Sequence, residues 1–274
     1  MDFEKIYAHT IIKELPTEGH SPLLVVGSNY KLYVAKNDKG KQPPYSIINE
    51  LFASFCFENW KIDSPKTKII EISKNLVSMQ EGLSIHHKPY YYDTLCFGSE
   101  YIQYALDINN LFMSDSKKTF NKLRNHQNVF HITLFDTWVE NDDRKPTNYN
   151  MVLQPIENQF IIIPIDNAFI FSTMSYTDLN PEFVSVSSND HLLVSELGHL
   201  IKKFTTIDEE FIKNERKYFY LCIENCRTNF DNFISNLRLF YTIDDSSVVS
   251  LKNFLFNDDR NNKVFEEYVY RLSQ

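Results

Sequence analysis

Glycine is scarce in this chain, with 6 among 274 residues, and the turn at 27–29 holds only one of them. A glycine-rich cradle that wraps phosphates with bare backbone is therefore excluded at that turn. No apolar run approaches the ~20 residues that a membrane-spanning helix needs. The four cysteines, Cys56, Cys96, Cys222 and Cys226, form no Cys-x-x-Cys pair. Cys222 and Cys226 sit four apart on an expected helix, a spacing that suits packing rather than metal binding. Free thiols fit a reducing compartment. Positive charge is also in deficit, 28 Lys and Arg against 36 Asp and Glu, for a net charge of −8. Such a balance argues against a nucleic-acid-binding chain, which carries a basic face. Met1-Asp2-Phe3-Glu4-Lys5 lacks the basic-then-apolar order of a signal peptide. The only histidine pair, His86-His87, has no acidic or thiol partner at ligand spacing and reads as a solvated loop. These absences together predict a soluble cytoplasmic protein without membrane or nucleic-acid partners.

Aromatic residues are plentiful. With 22 Phe and 16 Tyr the chain can bury a sizeable core, in one large domain or two lobes. The first hundred residues read as β-rich with one helix. Residues 9–15 and 23–26 are strand candidates, and Gly27-Ser28-Asn29 turns the chain into an alternating strand over 30–36 that ends at Lys36. A helix is expected over 46–59, with Ile47, Leu51 and Phe55 at helical spacing and Glu50 inside the apolar face. A further strand covers 66–72, and residues 73–90 show no clear element. Beyond residue 98 helices dominate, expected over 99–114, around 117–123, and over 129–139, 192–204, 207–226, 229–241, 248–256 and 263–272. Ser188 is a candidate cap for the 192–204 helix, and Thr206 with Glu209 forms a capping box for the next. Asp258-Asp259-Arg260 reads as an exposed turn.

The stretch from 141 to 166 carries the chemistry. It reads N-D-D-R-K-P-T-N, then a short apolar strand, then I-I-I-P-I-D-N-A-F. Pro146 keeps the first part from becoming helix. Asp143 precedes Asn148 by five positions, and Asp166 follows the strand-like run 160–165. Acid, amide, then a second acid after a strand is the layout of a phosphoryl-transfer site: the first acid takes the proton of the attacking hydroxyl, and the amide and second acid hold the metal that bridges the phosphates. Asn and Asp are also common turn formers, so the stretch alone admits a plain hairpin. Upstream, Lys36 at a strand end and Glu50 early in a helix match the pair that positions ATP phosphates in protein kinases. The required residues thus occur in the required chain order. Asp142 is the rival to Asp143, one residue out of register with Asn148.

These segments resemble those of the HipA-like kinases, most closely a compact branch of them. S-P-L-L-V-V-G-S-N-Y-K-L-Y-V-A-K (21–36) resembles their phosphate-loop hairpin ending in the ATP lysine, which implicates Gly27 and Ser28. I-I-N-E-L-F-A-S-F (47–55) resembles their glutamate-bearing helix. F-G-S-E-Y (97–101) resembles the linker where the lobes join, so Phe97 and Tyr101 would face the nucleotide. F-D-T-W-V-E-N-D-D-R-K-P-T-N (135–148) and P-I-D-N-A-F (164–169) resemble the catalytic and metal-binding segments, at the family's spacing. The pieces span about residues 20–170.

The resemblance implies an α+β, protein-kinase-like two-lobed fold, with a small β-rich N-lobe over 1–98 and a larger, mostly helical C-lobe over 99–274. It implies ATP- and Mg²⁺-dependent transfer to a Ser or Thr hydroxyl of a protein substrate. Lys36, Glu50, Gly27, Ser28, Phe97 and Tyr101 would then bind nucleotide, Asn148 and Asp166 metal, and Asp143 would be the catalytic base. The larger members carry a self-phosphorylated serine on the phosphate loop, which maps to Ser28. The best-known members are toxins paired with an antitoxin and act on proteins such as an aminoacyl-tRNA synthetase. Their extra N-terminal domain is lacking here, so the toxin role carries over poorly, while an antitoxin-like or neighbouring-gene partner stays among the partners that the resemblance allows. Three departures stand out: Lys145 where the family often has His, Asn167 after the metal-binding acid, and the glycine-poor turn. They favour an alternative reading, a nucleotide-binding pseudokinase serving as an interaction module.

Overall fold

A computed structural model describes residues 3–15, 21–39, 42–43, 45–108, 116–184 and 190–274. Five short strands, β1 (Lys5–Glu14), β2 (Leu23–Gly27), β3 (Leu32–Lys36), β4 (Thr67–Glu71) and β5 (Cys96–Glu100), close into a barrel in the order β1-β2-β3-β5-β4. All neighbours run antiparallel except β1 and β4, whose parallel pairing from Lys5–Ile69 to Tyr7–Glu71 closes the ring. Alternating residues fill the interior, among them Ile6, Ile11, Val25, Tyr33, Ile70 and Cys96. Strand β5 needs Gly98, because a Cβ there would lie 2.2 Å from Ile70 Cδ1.

Between β3 and β4 lies α1 (Ser46–Trp60), buried on nearly every side. It belongs to the large core rather than to the barrel interior, packing Phe52 and Phe55 on Phe233 and Trp60 on Trp138. Short α2 (Lys74–Met79) is capped by Ser73. The remainder comprises β6 (Leu106–Asp107), α3 (Lys117–Lys122), α4 (Asn128–Val139), β7 (Met151–Ile156), β8 (Gln159–Pro164), α5 (Glu196–Lys203), α6 (Glu209–Leu237), α7 (Asp245–Leu255) and α8 (Asp258–Ser273). Strands β6, β7 and β8 form a separate antiparallel sheet in that order. The chain therefore has the two-lobed, mixed α+β architecture of a protein kinase. Among the described residues no helix is long and apolar enough to cross a membrane.

Four elements depart from the sequence expectation. The expected helix over 99–114 is absent from residues 99–108: Ser99 pairs with Val34 on one side and Thr67 on the other, so strand pairing overrides the helical spacing. Residues 109–115 lie outside the described residues. The helices expected over 207–226 and 229–241 are one, α6, because its buried stripe runs unbroken through Phe219, Cys222, Cys226, Phe230, Phe233 and Leu237. Its cap is Asp208, whose carboxylate accepts the Phe211 N–H, rather than Thr206. Ser195 caps α5 in the same way, and Ser188 lies outside the described residues.

The fourth departure is the Asp258-Asp259-Arg260 turn, which is the first turn of α8, and Arg260 is fully buried. Its guanidinium lies 3.5 Å from the Phe254 ring centroid and donates to Trp138 O at 2.9 Å and Glu140 Oε1 at 3.3 Å. Burial lowers its pKa to about 10, against the pull of Glu140, so it is charged at neutral pH. Arg260 thus pins the C-terminal end of α4, where residues 141–150 begin. Removing one partner of a buried ion pair costs about 3–5 kcal/mol. Arg260→Ala should lower urea-unfolding stability by that order. A loss below about 1 kcal/mol would show that the pair does not hold α4 to α8.

Candidate active site

Lys36 is the last residue of β3 and lies opposite Phe97 of β5. Its ammonium is 2.6 Å from Glu50 Oε1 and 2.8 Å from Asp166 Oδ1, with 12% of the side chain exposed. Burial works against the ammonium, yet the two carboxylates outweigh it and raise its pKa. Glu50, in α1, uses its second oxygen to accept the Asn167 N–H at 3.0 Å. The preceding residue, Asn49, donates to Ala168 O at 2.8 Å and accepts the Tyr176 hydroxyl at 2.7 Å. Two successive polar side chains of α1 therefore grip Asn167 and Ala168.

The loop from 141 to 150 follows α4. Glu140 ends that helix in the left-handed conformation, φ 51°. Lys145 and Asn148 exchange both backbone hydrogen bonds at 2.9 Å, closing a tight turn around Pro146. The turn brings Asn148 back onto Asp143: the Asn148 amide donates to Asp143 Oδ1 at 3.0 Å, and the Asn150 amide donates to Oδ2 at 2.7 Å. Asp142 is exposed and accepts the Ser172 hydroxyl at 2.9 Å. Arg144 points inward, fully buried, and is bonded to Asp136 of α4. It also donates to Ile165 O at 3.1 Å and Asn167 Oδ1 at 2.8 Å. Lys145 stays on the outside, 3.9 Å from Asp190.

Asn167 is thus the junction, held at its N–H by Glu50 and at its side chain by Arg144. At this departure from the kinase pattern, the Asn167 side chain is tied to Arg144 within the larger lobe, while the link to Glu50 of α1 is made by its backbone N–H alone. Asp166 beside it has φ 54°, a left-handed conformation that Asp tolerates better than most residues.

A cavity of about 220 Å³ opens between the lobes. Lys36, Glu50, Asp166 and Asn167 form its polar end, and Val34, Ile102, Ala105 and Val152 give apolar walls. Phe97 and Tyr101 are also on its lining. Gly27 and Ser28 are not, and the expectation that their turn covers the phosphates is corrected here. That turn lies at the far end of β3 from Lys36, about 13 Å away at ~3.3 Å per strand residue. Ser28 is instead tied to β1, its N–H donating to Tyr7 O at 2.7 Å. The connection that reaches the cavity is the one between β1 and β2, which contributes Leu15 and Pro22.

Sequence reasoning places Asn49 beside Glu50 in the family's helix without giving it a role, and gives none to Asp136, Arg144, Asn150 or Tyr176. A signal existed for two of them. Asp136 is the one acid in the strongly apolar run 129–139, and Asn49 sits beside Glu50 in another. Buried polar groups in such runs need partners. Nothing in the spacing distinguishes Asn150 or Tyr176.

A buried lysine held by a helix glutamate, an Asp–x₄–Asn loop and an acid that follows a strand lie between a β-barrel lobe and a helical lobe, the arrangement expected of a kinase-type site. A family model described as HipA-like kinase matches residues 9–196, and the chain belongs to that family. Among solved structures, the proinflammatory kinase CtkA of Helicobacter pylori is similar in fold, with a TM-score of 0.53 and 12% identity, over 96% of this chain and 95% of that one. The Golgi casein kinase with Mn/ADP bound aligns at a TM-score of 0.48 and 10% identity, over 98% of this chain and 73% of that one. No curated protein matches the sequence.

The Asp136–Arg144 pair gives a test in solution. Burial raises the Asp136 pKa from the ordinary 3.8 to about 6, with Arg144 and Asn141 pulling the other way. The folded state therefore binds a proton that the unfolded state has lost over that window, and the Asp136 contribution to stability falls as pH rises from 4 to 6. The stability of wild type relative to Asp136→Asn should decline across that window and stay flat above it. A difference that rises with pH there would mean Asp136 is held ionised throughout.

Proposed function

We propose that this protein is an ATP- and Mg²⁺-dependent kinase that transfers the γ-phosphoryl group to a Ser or Thr hydroxyl, with a protein as substrate. The observation that carries the reading is Lys36, buried at the polar end of the interlobe cavity between Glu50 and Asp166. A buried lysine with two carboxylates is held charged and oriented, as phosphate binding requires. A nucleotide would place its base against the apolar walls and its phosphates toward Lys36.

The donor set fits a hard divalent cation. Asn148 offers an amide oxygen and the partly exposed Asp166 a carboxylate, and Mg²⁺ takes one or two protein carboxylates plus phosphate oxygens. Bound there, the metal would neutralise charge on the phosphates. Asp143 would accept the proton of the acceptor hydroxyl while the hydroxyl oxygen bonds to the γ-phosphorus and the bond from that phosphorus to the β–γ bridging oxygen breaks, releasing ADP. Asp143 suits this role better than Asp142, because its carboxylate is held by two amides on the loop that also bears Asn148. Asp142 faces solvent and Ser172.

Asp143→Asn should fold and bind nucleotide, with turnover of labelled ATP reduced by about 10²–10⁴-fold. Asp142→Asn should retain most activity. Equal losses in the two would remove the assignment. Nucleotide binding by a wild type without turnover would establish the pseudokinase reading instead.

Lys36 and Glu50 should behave as one unit. Lys36→Ala and Glu50→Ala should each lower kcat/KM for ATP, and the double variant should be scarcely worse than the poorer single. Losses that simply multiply would mean that the contact is not made in the working enzyme.

A further inference from the structure

We propose that Asn150 is a positioning residue for the transfer, one half of a two-amide clamp that fixes the Asp143 carboxylate; the catalytic part of this rests on the kinase reading above. The Asn148 amide donates to one Asp143 oxygen at 3.0 Å and the Asn150 amide to the other at 2.7 Å. An aspartate's terminal torsion is broad and nearly two-fold when nothing holds it. One donor on each oxygen stops that rotation. Each oxygen keeps lone-pair capacity, so an acceptor hydroxyl can still be received.

The two amides are not equivalent. Asn148 must also present its oxygen to the metal, so metal and substrate can pull its side chain away from Asp143. Asn150 carries no such second duty. Its backbone is locked, because its carbonyl accepts the Ile165 N–H at 2.9 Å and β7 begins at the next residue, Met151 paired with Pro164. The register of β7 on β8 therefore sets where the Asn150 amide points. The residue has φ 44°, a conformation that Asn, Asp and Gly adopt more readily than other residues. A residue type matched to a left-handed backbone, anchored by a sheet and aimed at the base, is suited to holding geometry through the reaction.

Two substitutions keep that backbone. Asn150→Gly deletes the amide, and Asn150→Asp keeps its shape but replaces the donor with an acceptor facing Asp143. Misplacing a reacting group by about 1 Å can cost about 10²-fold in rate. Both variants should therefore lose about 10- to 100-fold in kcat, with the glycine variant retaining KM for ATP within about 3-fold and its metal requirement. A merely structural asparagine would instead move KM and melting temperature together with kcat. Wild-type kcat in Asn150→Gly overturns the proposal.

A stability cycle without nucleotide tests the contact separately. Melting-temperature losses of Asp143→Ala and Asn150→Gly should fall short of adding in the double variant, since they remove one shared hydrogen bond. Additive losses overturn the clamp. A wild type that binds nucleotide but shows no turnover overturns the kinase reading and the catalytic half of this proposal, while the cycle still decides the clamp.

Discussion

The arrangement depends on the carboxylate of Glu50. One oxygen meets the Lys36 ammonium at 2.6 Å and the other the Asn167 N–H at 3.0 Å. Glu50 is 3% exposed, and a carboxylate so placed is tolerated only with both oxygens satisfied. That requirement couples β3 and α1, near each other in sequence, to the distant segment after β8. The coupling continues from Asn167 through Arg144 to Asp136 in α4. A chain of buried polar contacts thus runs from the barrel lobe to the core of the helical lobe, past Asp143 and Asp166. Breaking one member would leave its neighbours buried and unpaired, so the chain should act cooperatively.

Scarcity of glycine shapes the same region. With so few glycines, the chain turns on other residues: eleven described non-glycine residues have positive φ, among them Glu140, Asn150, Asp166, Phe171, Ser172 and Thr173. Most of these six border the candidate active site. Left-handed backbone at residues other than glycine persists where surrounding contacts over-determine it. Here those contacts are visible: Ser172 N–H donates to Glu140 O, Ile165 N–H to Asn150 O, and Lys36 holds Asp166.

Much of this was legible in the sequence where a chemical role imposes a spacing. Lys36, Glu50, Asp143, Asn148 and Asp166 stand out because phosphoryl transfer needs those types in that order, and the two-lobed class is what the family resemblance of those segments implies. What stayed hidden depends on long-range packing. The strand around Ser99 reads as helix because its pairing partners, Val34 and Thr67, are distant in sequence. Arg260 reads as exposed because the Trp138, Glu140 and Phe254 groups that receive it come from two other helices. The Gly27-Ser28 turn was misjudged for a topological reason, since a hairpin places its turn and its strand end at opposite ends of the sheet.

The most direct measurement is a crystal structure with a non-hydrolysable ATP analogue and Mn²⁺, the metal located by its anomalous signal. Phosphate oxygens within hydrogen-bond distance of Lys36 Nζ, the Glu50 contact retained, and Mn²⁺ bound by Asn148 and Asp166 beside an Asp143 still held by Asn150 are the result expected. A nucleotide outside the interlobe cavity, or a metal that touches neither Asn148 nor Asp166, would contradict it.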